Sequence, residues 1–305
     1  MHKAKDSVRK TLRVFHETHY HYHDKVQHAY HLAYLKPIET PLQSLLAHEL
    51  QIDPHPDSRS QHKDCFGNTF ECFSFHRIHE HLQVSARSQA QRALSLQVDL
   101  IRQDIDWRDL RVDLSYSAGK AFIAASEFKY ESPYVPFLAL VKAYAEEVFN
   151  EIPGLIAASR CLSRRIHQDF RYVPKSTEIA TPLEEVFRMR SGVCQDFAHL
   201  LICALRCLGL SARYVSGYLL TQAAPGQAKR RGVDASHAWV AVYCPVFDFP
   251  WLELDPTNDA IVNEDYLVLA YGRDFGDVSP FRGVIHAARG HDLQVAVTVE
   301  ALSGV

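Results

Sequence analysis

Seven cysteines stand at positions 65, 72, 161, 194, 203, 207 and 244, yet no two form a C-x-x-C pair. That absence and the odd count argue against a structural zinc site or a disulfide framework, and for reduced thiols. An excess of one charge is missing too. The 33 basic residues are scattered among 36 acidic ones for a formal net charge of −3, which leaves no nucleic-acid footprint. No apolar run reaches the roughly 18 residues of a membrane span. The opening MHKAKDSVRKTLRVF lacks the apolar core and cleavage site of a signal peptide. A cytoplasmic chain with neither a membrane nor a nucleic-acid partner is therefore expected. No D-x-D-x-D-G calcium loop, internal repeat or low-complexity tract occurs. What is present is ordinary globular composition: 305 residues, 47% hydrophobic and 23% charged, enough for one large domain or two.

The pattern along the chain predicts an α+β protein. Residues 11–117 alternate, with turn signals at KPIETP, DPHPDS and FGN, and read as an N-terminal antiparallel β module. Helical spacing then predicts two helices separated at Pro153-Gly154 and a third over 182–190. Phe197, Leu200, Leu201, Ala204, Leu205 and Leu208 mark a further helix of about four turns that stops at Gly209. Strands follow in ARYVSGYLL, HAWVAVYC, WLELD and HDLQVAVTVE, so residues 132–305, C-terminal strand included, form the expected core. Between the first two of these strands, the loop from Thr221 to Ser236 is the candidate mobile segment.

HETHYHYH places His19, His21 and His23 on one strand face, which invites a metal. The opposite face, Val14, His16, Thr18, Tyr20 and Tyr22, suits a core better, and no cysteine or carboxylate has ligand spacing to the three histidines. No metal or cofactor is expected.

The stretch SGVCQDFAHLL places Cys194 at a predicted helix start, where unpaired N–H groups and the macrodipole favour a thiolate. Cys203 and Cys207 lie among leucines, where burial silences a thiol. A cysteine nucleophile needs an imidazole. His199, five residues along the same helix, is turned about 140° away from Cys194. His237 opens a strand. Centring the hairpin of HAWVAVYC and WLELD on Val246 puts residue 237 opposite Asp255, a carboxylate placed to hold the ring, and Pro256 then ends the strand. A polar cross-strand pair at a sheet edge is the alternative reading of these two residues.

SGVCQDFAHLLICALRCLGLSARYVSGYL, ASHAWVAVY and WLELDPTND resemble the successive motifs of the transglutaminase-like superfamily core. FHETHYHYHDKV, YLKPIETPLQSLLAHELQIDP, DCFGNTFECFSF and the tail YGRDFGDVSPFRGV are similar to bacterial members. The resemblance implies a papain-like arrangement of nucleophile helix on antiparallel sheet, with Cys194 as nucleophile, His237 as base and Asp255 as orienting acid. The oxyanion would meet the Cys194 N–H and, on the same resemblance, Tyr172, for which a buried structural role is the alternative. Asp196 is assigned to the first helical turn or a neighbouring loop. The implied chemistry is acyl transfer on a peptide or protein amide through a thioester. Hydrolysis is preferred over transamidation. An arylamine N-acetyltransferase-like reaction and a non-catalytic peptide-binding module remain alternatives from other classes. Lys229, Arg230 and Arg231 in the loop would bias encounter toward carboxylate-bearing donors, unless they are simply a solvated loop.

Overall fold

A strand with one face on a core buries every second side chain, and the N-terminal alternation does so in β1 (Arg9–Val26), where Leu12, Val14, His16 and Thr18 are buried and Arg13, Glu17 and His21 exposed. The computed structural model describes residues 9–93, 104–221, 236–286 and 290–302. β2 (His28–Ala33), β3 (Gln43–Asp53), β4 (Ser58–Lys63), β5 (Thr69–Phe75) and β6 (His79–Ala93) complete the N-terminal strands. Helices α1 (Trp107–Asp113), α2 (Ala139–Phe149) and α3 (Leu155–Asp169) follow, with a 3-10 turn at Ala124–Lys129. Next come β7 (Arg171–Tyr172), α4 (Leu183–Met189), β8 (Ser191–Gly192) and α5 (Cys194–Cys207). A second series of strands closes the chain: β9 (Ala212–Leu219), β10 (Ser236–Tyr243), β11 (Trp251–Asp255), β12 (Ala260–Ile261), β13 (Tyr266–Gly272), then the short α6 (Phe275–Val278), β14 (Phe281–His286) and β15 (His291–Leu302). The architecture is α+β, and no helix among the described residues is long and apolar enough to cross a membrane.

Two four-stranded sheets, ordered β15-β1-β6-β3 and β14-β2-β5-β4, make the N-terminal module. Both contain a strand from the C-terminus, which corrects the expectation that the terminal strand joins the core over residues 132–305. β15 pairs antiparallel with β1 from Thr11↔Leu302 to Tyr22↔His291, and β14 pairs with β2. The outer edge of β1 offers a long row of N–H and C=O groups, and β15 has the length to pair it and the alternation to bury Val297 and Val299. The module's other expected boundary, residue 117, also moves: α1 sits with the helices, its Trp107 Nε1 donating to the Phe149 carbonyl at 3.0 Å.

The core packs α5 on a five-stranded antiparallel sheet, β12-β11-β10-β9-β13. Residues Asp196 to Arg206 of α5 are all buried, so this helix is the axle of the core. It stops where expected, with Gly209 at φ +82, a conformation that favours glycine. Arg206 is buried at 1% exposure, and its guanidinium donates to the carbonyls of Phe128, Tyr130, Ala212 and Arg273 and to Ser132 Oγ. These acceptors tie the 3-10 turn, β9 and the end of β13 to one side chain. Arg206→Leu should therefore destabilise the fold by about 3–5 kcal/mol in urea titrations, because buried carbonyls lose their donor; a change below about 1 kcal/mol would show that they find other donors.

The module covers the core's exposed sheet edge. β13 is an edge strand with a bulge between Val268 and Ala270, and side-chain amides take the place of a further strand. Gln43 accepts from the Val268 N–H and donates to the Val268 carbonyl, both at 2.8 Å. Asn68 does the same to Tyr271, at 2.8 and 2.7 Å. The seam also holds a buried Arg92–Glu253 ion pair, a Lys10–Asp265 pair, and a hydrogen bond between His16 Nδ1 and the Tyr218 hydroxyl at 2.8 Å.

Candidate functional site

The loop into α5 is built to present Cys194. Val193 is extended, and its N–H is accepted by Asp196 Oδ2 at 2.8 Å, which caps the first turn; Thr177 donates to the same oxygen at 2.6 Å. Asp196 thus serves both the turn and a neighbouring loop. Burial pushes its carboxyl above the usual range, opposed by these two hydrogen bonds. Gly192 is required by close approach: a Cβ there would lie 2.7 Å from Asp196 Oδ2. β7 and β8 pair in parallel, and the Val173 N–H to the Gly192 carbonyl at 3.0 Å holds Tyr172 beside the loop.

His237 opens β10 opposite Gly217 of β9. Here the hairpin arithmetic needs correction. The observed pairs run from Tyr243↔Trp251 to Val240↔Leu254, so the turn is centred on Phe247 rather than Val246. Residues 244–250 close as a seven-residue loop, with the Cys244 N–H donating to the Pro250 carbonyl at 3.0 Å. Continued, that register sets Asp255 across from residue 239, and the contact with His237 is diagonal. It is nevertheless made, with Nε2 to Oδ2 at 2.7 Å. Since Nε2 serves the carboxylate, Nδ1 is the nitrogen left to face the Cys194 thiol, which lies close enough to raise the ring's pKa. Burial pulls the imidazole pKa down, but the hydrogen bonds and charges of Asp255 and Cys194 outweigh it and raise it to about 10.

Asp255 is fully buried and richly held. Oδ1 accepts from the Thr257 and Asn258 N–H groups at 2.8 and 3.3 Å; Oδ2 accepts from Asn258 Nδ2 at 2.7 Å and the Tyr266 hydroxyl at 2.8 Å in addition to His237. Burial alone would raise its pKa, but these donors, His237 foremost, hold it below the usual carboxylate range. Trp239 lies near the His237 ring at 6.1 Å and edge-on to Tyr266 at 5.3 Å. Its indole needs Gly217, where a Cβ would come within 2.4 Å of the ring.

The structure thus brings Cys194, His237 and Asp255 together. Tyr172 is near them but 52% exposed rather than a buried structural residue; its ring is edge-on to Phe197 at 6.4 Å, and partial burial and the charge of Cys194 raise its pKa. Lys229, Arg230 and Arg231 lie outside the described residues. His199 is buried, accepts the Phe275 N–H at 3.2 Å and stacks on Tyr134; burial lowers it to about 4, so it is a neutral packing residue. Cys203 donates to the Pro136 carbonyl and lies 4.0 Å from Cys207; their contact raises Cys203 and lowers Cys207 to about 7, so Cys207 is less silent than its place among leucines suggests. His23 contacts Asp292 at 3.1 Å, and among the described residues no group of three or more potential ligands is arranged to hold a metal. Sequence reasoning missed Asn258 and Tyr266. The first was legible as the DPTND turn that follows the carboxylate; the second sits 11 residues on with no local signal.

A helix that begins at a cysteine and packs on an antiparallel sheet with a His–Asp pair at its rim defines the transglutaminase-like class. Residues 12–91 match the bacterial transglutaminase-like N-terminal region, and residues 142–256 match the transglutaminase-like superfamily. An uncharacterized protein of Mycobacterium tuberculosis (strain H37Rv) is 37% identical over 300 residues, covering 96% of this chain and 93% of that protein. A solved structure described as a candidate cysteine protease from Cytophaga hutchinsonii shares the fold with a TM-score of 0.74 at 18% identity, over 98% of this chain and 93% of that one. A protein-glutamine gamma-glutamyltransferase of Pseudomonas aeruginosa is 34% identical over 107 residues, 34% of this chain and 15% of that protein. The chain belongs to the transglutaminase-like superfamily, and its N-terminal module is that of the bacterial members.

Proposed function

We propose that the protein transfers acyl groups from the amide bonds of peptides or proteins, with Cys194 as nucleophile, His237 as acid and base, and Asp255 as the group that orients and charges the imidazole. The observation that carries this reading is one imidazole hydrogen-bonded to a fully buried carboxylate at 2.7 Å, with a helix-initiating thiol close enough to raise its pKa. In the first step the Cys194 thiolate attacks the amide carbon, and the carbonyl π pair moves to oxygen. That oxyanion meets the Cys194 N–H and the Tyr172 hydroxyl. Collapse expels the amine, which takes its proton from the His237 imidazolium, and a thioester remains. His237, now neutral, deprotonates water, whose attack releases the acid and regenerates the thiol. Hydrolysis is the preferred second step. The short match to a gamma-glutamyltransferase favours an amine acceptor as the second reading. A cytoplasmic setting is part of the proposal, supported by seven free cysteines.

Iodoacetamide at neutral pH, followed by peptide mass spectrometry, is the direct test. Cys194 is expected to react at least about tenfold faster than any other cysteine, with Cys207 second and His237→Ala removing the advantage. First labelling at Cys207 or Cys161 would defeat the assignment. Incubation with glutamine-containing peptides then separates the acceptors: water gives cleavage or deamidation, whereas an added primary amine becomes incorporated. An unreactive Cys194 would leave a non-catalytic peptide-binding module, and release that requires an acyl-CoA donor would mark the acetyltransferase-like reading.

A further inference from the structure

The first turns of α5 hold two buried polar side chains that the fold leaves half used. Asp196 is 4% exposed, and no neighbouring charge offsets its burial. The Val193 N–H and the Thr177 hydroxyl both donate to Oδ2, which leaves Oδ1 without a donor among the described residues. His199 is 3% exposed and accepts the Phe275 N–H at Nε2. In its neutral ring the proton therefore sits on Nδ1, and that N–H has no acceptor among the described residues. The protein does not close over either atom. An acceptor and a donor left open in this way cost stability unless water or a ligand meets them.

Asp196 and His199 line one cavity of about 340 Å³, which lies between the start of α5, the first turn of α4 and the segment before α2. That volume is at the lower end of small-molecule pockets. Much of the wall is apolar: Pro136, Leu138, Ile179, Leu183 and Tyr134, whose ring stacks on His199. No lysine or arginine lines it among the described residues. Glu184, the other acid on the wall, is exposed and engages Arg188 at 2.7 Å, so Asp196 is the carboxylate with an oxygen to spare. Cys194 is not part of this wall. At 100° per residue, Asp196 and His199 lie about 160° and about 140° from it around the helix.

We infer that this cavity binds the free amino terminus of a peptide, its ammonium on Asp196 Oδ1, its first carbonyl on His199 Nδ1–H and its side chain against Tyr134, Leu138 and Ile179. Side chains three apart on a helix are neighbours, about 5–6 Å between Cβ atoms, a spacing that an ammonium and the carbonyl next along the chain can bridge. The ammonium supplies the counter-charge that the fold withholds from Asp196, and the carbonyl accepts the idle N–H. A plain alkylammonium would leave His199 unmet. A free amino acid would set its own carboxylate beside that of Asp196 and be repelled. Binding here does not depend on the chemistry proposed for Cys194.

The test uses the full chain carrying Cys194→Ala, which removes turnover and leaves the cavity wall intact, with binding read by calorimetry at pH 7 and constant ionic strength. Leucylglycinamide is expected to bind at least about tenfold more tightly than its N-acetyl form, which lacks the ammonium. It should exceed by several-fold isoamylamine, which keeps the ammonium and the branched chain but has no carbonyl, and Nα-acetyllysinamide, whose ammonium stands on a side chain. Free leucine should also bind more weakly than the dipeptide. Asp196→Asn should lose at least about tenfold, because Val193 and Thr177 hold an oxygen at the Oδ2 position and the new amide nitrogen stands where the ammonium would bind. Ala180→Trp, at an exposed position on the wall, should abolish binding by filling the cavity and leave the melting temperature unchanged, which keeps the test open should Asp196→Asn fail to fold. Equal affinity for the free and acetylated dipeptides, tighter binding of isoamylamine, Nα-acetyllysinamide or leucine, undiminished binding in Ala180→Trp, or no binding of leucylglycinamide at about 10 mM would overturn the inference.

Discussion

Asp255→Asn is expected to lower kcat/KM by about three orders of magnitude without unfolding the protein. The Thr257 and Asn258 N–H groups fix an oxygen at the Oδ1 position, so the new amide nitrogen must occupy the Oδ2 position. There it presents an N–H to His237 Nε2 where a carboxylate stood. Nε2 then becomes an acceptor, and the ring proton moves to Nδ1, the nitrogen that should take the thiol proton. The pH profile separates this from simple loss of structure. With Asp255 in place His237 titrates at about 10, so the alkaline limb of kcat/KM lies near that pH. Loss of the anion removes stabilisation of the imidazolium and moves the limb down, toward the ordinary 6.5. Tyr266→Phe, which deletes one donor of several but leaves the carboxylate ionised, should cost about tenfold without moving the limb down. An Asp255→Asn protein with parental kcat/KM would remove Asp255 from the mechanism.

Acid should unfold the protein well before its carboxylates titrate. His16, His31 and His199 are each 3% exposed or less, and burial lowers each from 6.5 to about 4. The native state therefore binds these protons more weakly than the unfolded chain. Their contribution to stability is complete above pH 6.5 and is lost as the pH falls toward 4, at about 3 kcal/mol each by pH 4. His237 has the opposite sign: its raised pKa stabilises fully below 6.5 and ceases to do so as the pH rises through about 10. Across the acid window it returns only about 1 kcal/mol. The net loss rivals the roughly 5–15 kcal/mol that holds a typical domain together. Urea midpoints at pH 7 and pH 5 should differ by the equivalent of several kcal/mol, and His16→Gln should remove part of the difference. A midpoint unchanged between those two values would show that the rings are protonated in place.

Local signals carried most of the site. Cys194 was legible because a glycine-containing turn, an apolar helical series and Gly209 bracket the helix it starts. His237 and Asp255 could be paired from strand patterns alone, yet the turn was misplaced by one residue. Patterning says which faces of two strands are buried, whereas the number of residues in their loop depends on which backbone groups close it, here Cys244 and Pro250. The destination of β15 was illegible for a similar reason. Its alternation suits any antiparallel edge, and only the length and unpaired rim of β1 choose between the core and the module. Gln43 and Asn68 gave no signal either, because a side-chain amide that mimics a strand looks, in sequence, like any polar residue in a sheet.

The return of the chain to its own beginning also sets an order of assembly. During synthesis β1 emerges long before β15 and waits for it until residue 302 has been made. Every helix and strand around Cys194 is translated in the interval, while both sheets of the module still lack one strand. The nascent chain thus carries an unpaired, sticky rim throughout synthesis of the core, and this long-range pairing forms only after the core has been made. A chain stalled or clipped before β14 would keep the thiol, imidazole and carboxylate in sequence and yet lack the closed scaffold on which Gln43 and Asn68 brace β13. Proteolytic surveillance would then meet an incomplete molecule by its open sheet edges rather than by any fault at the reacting centre.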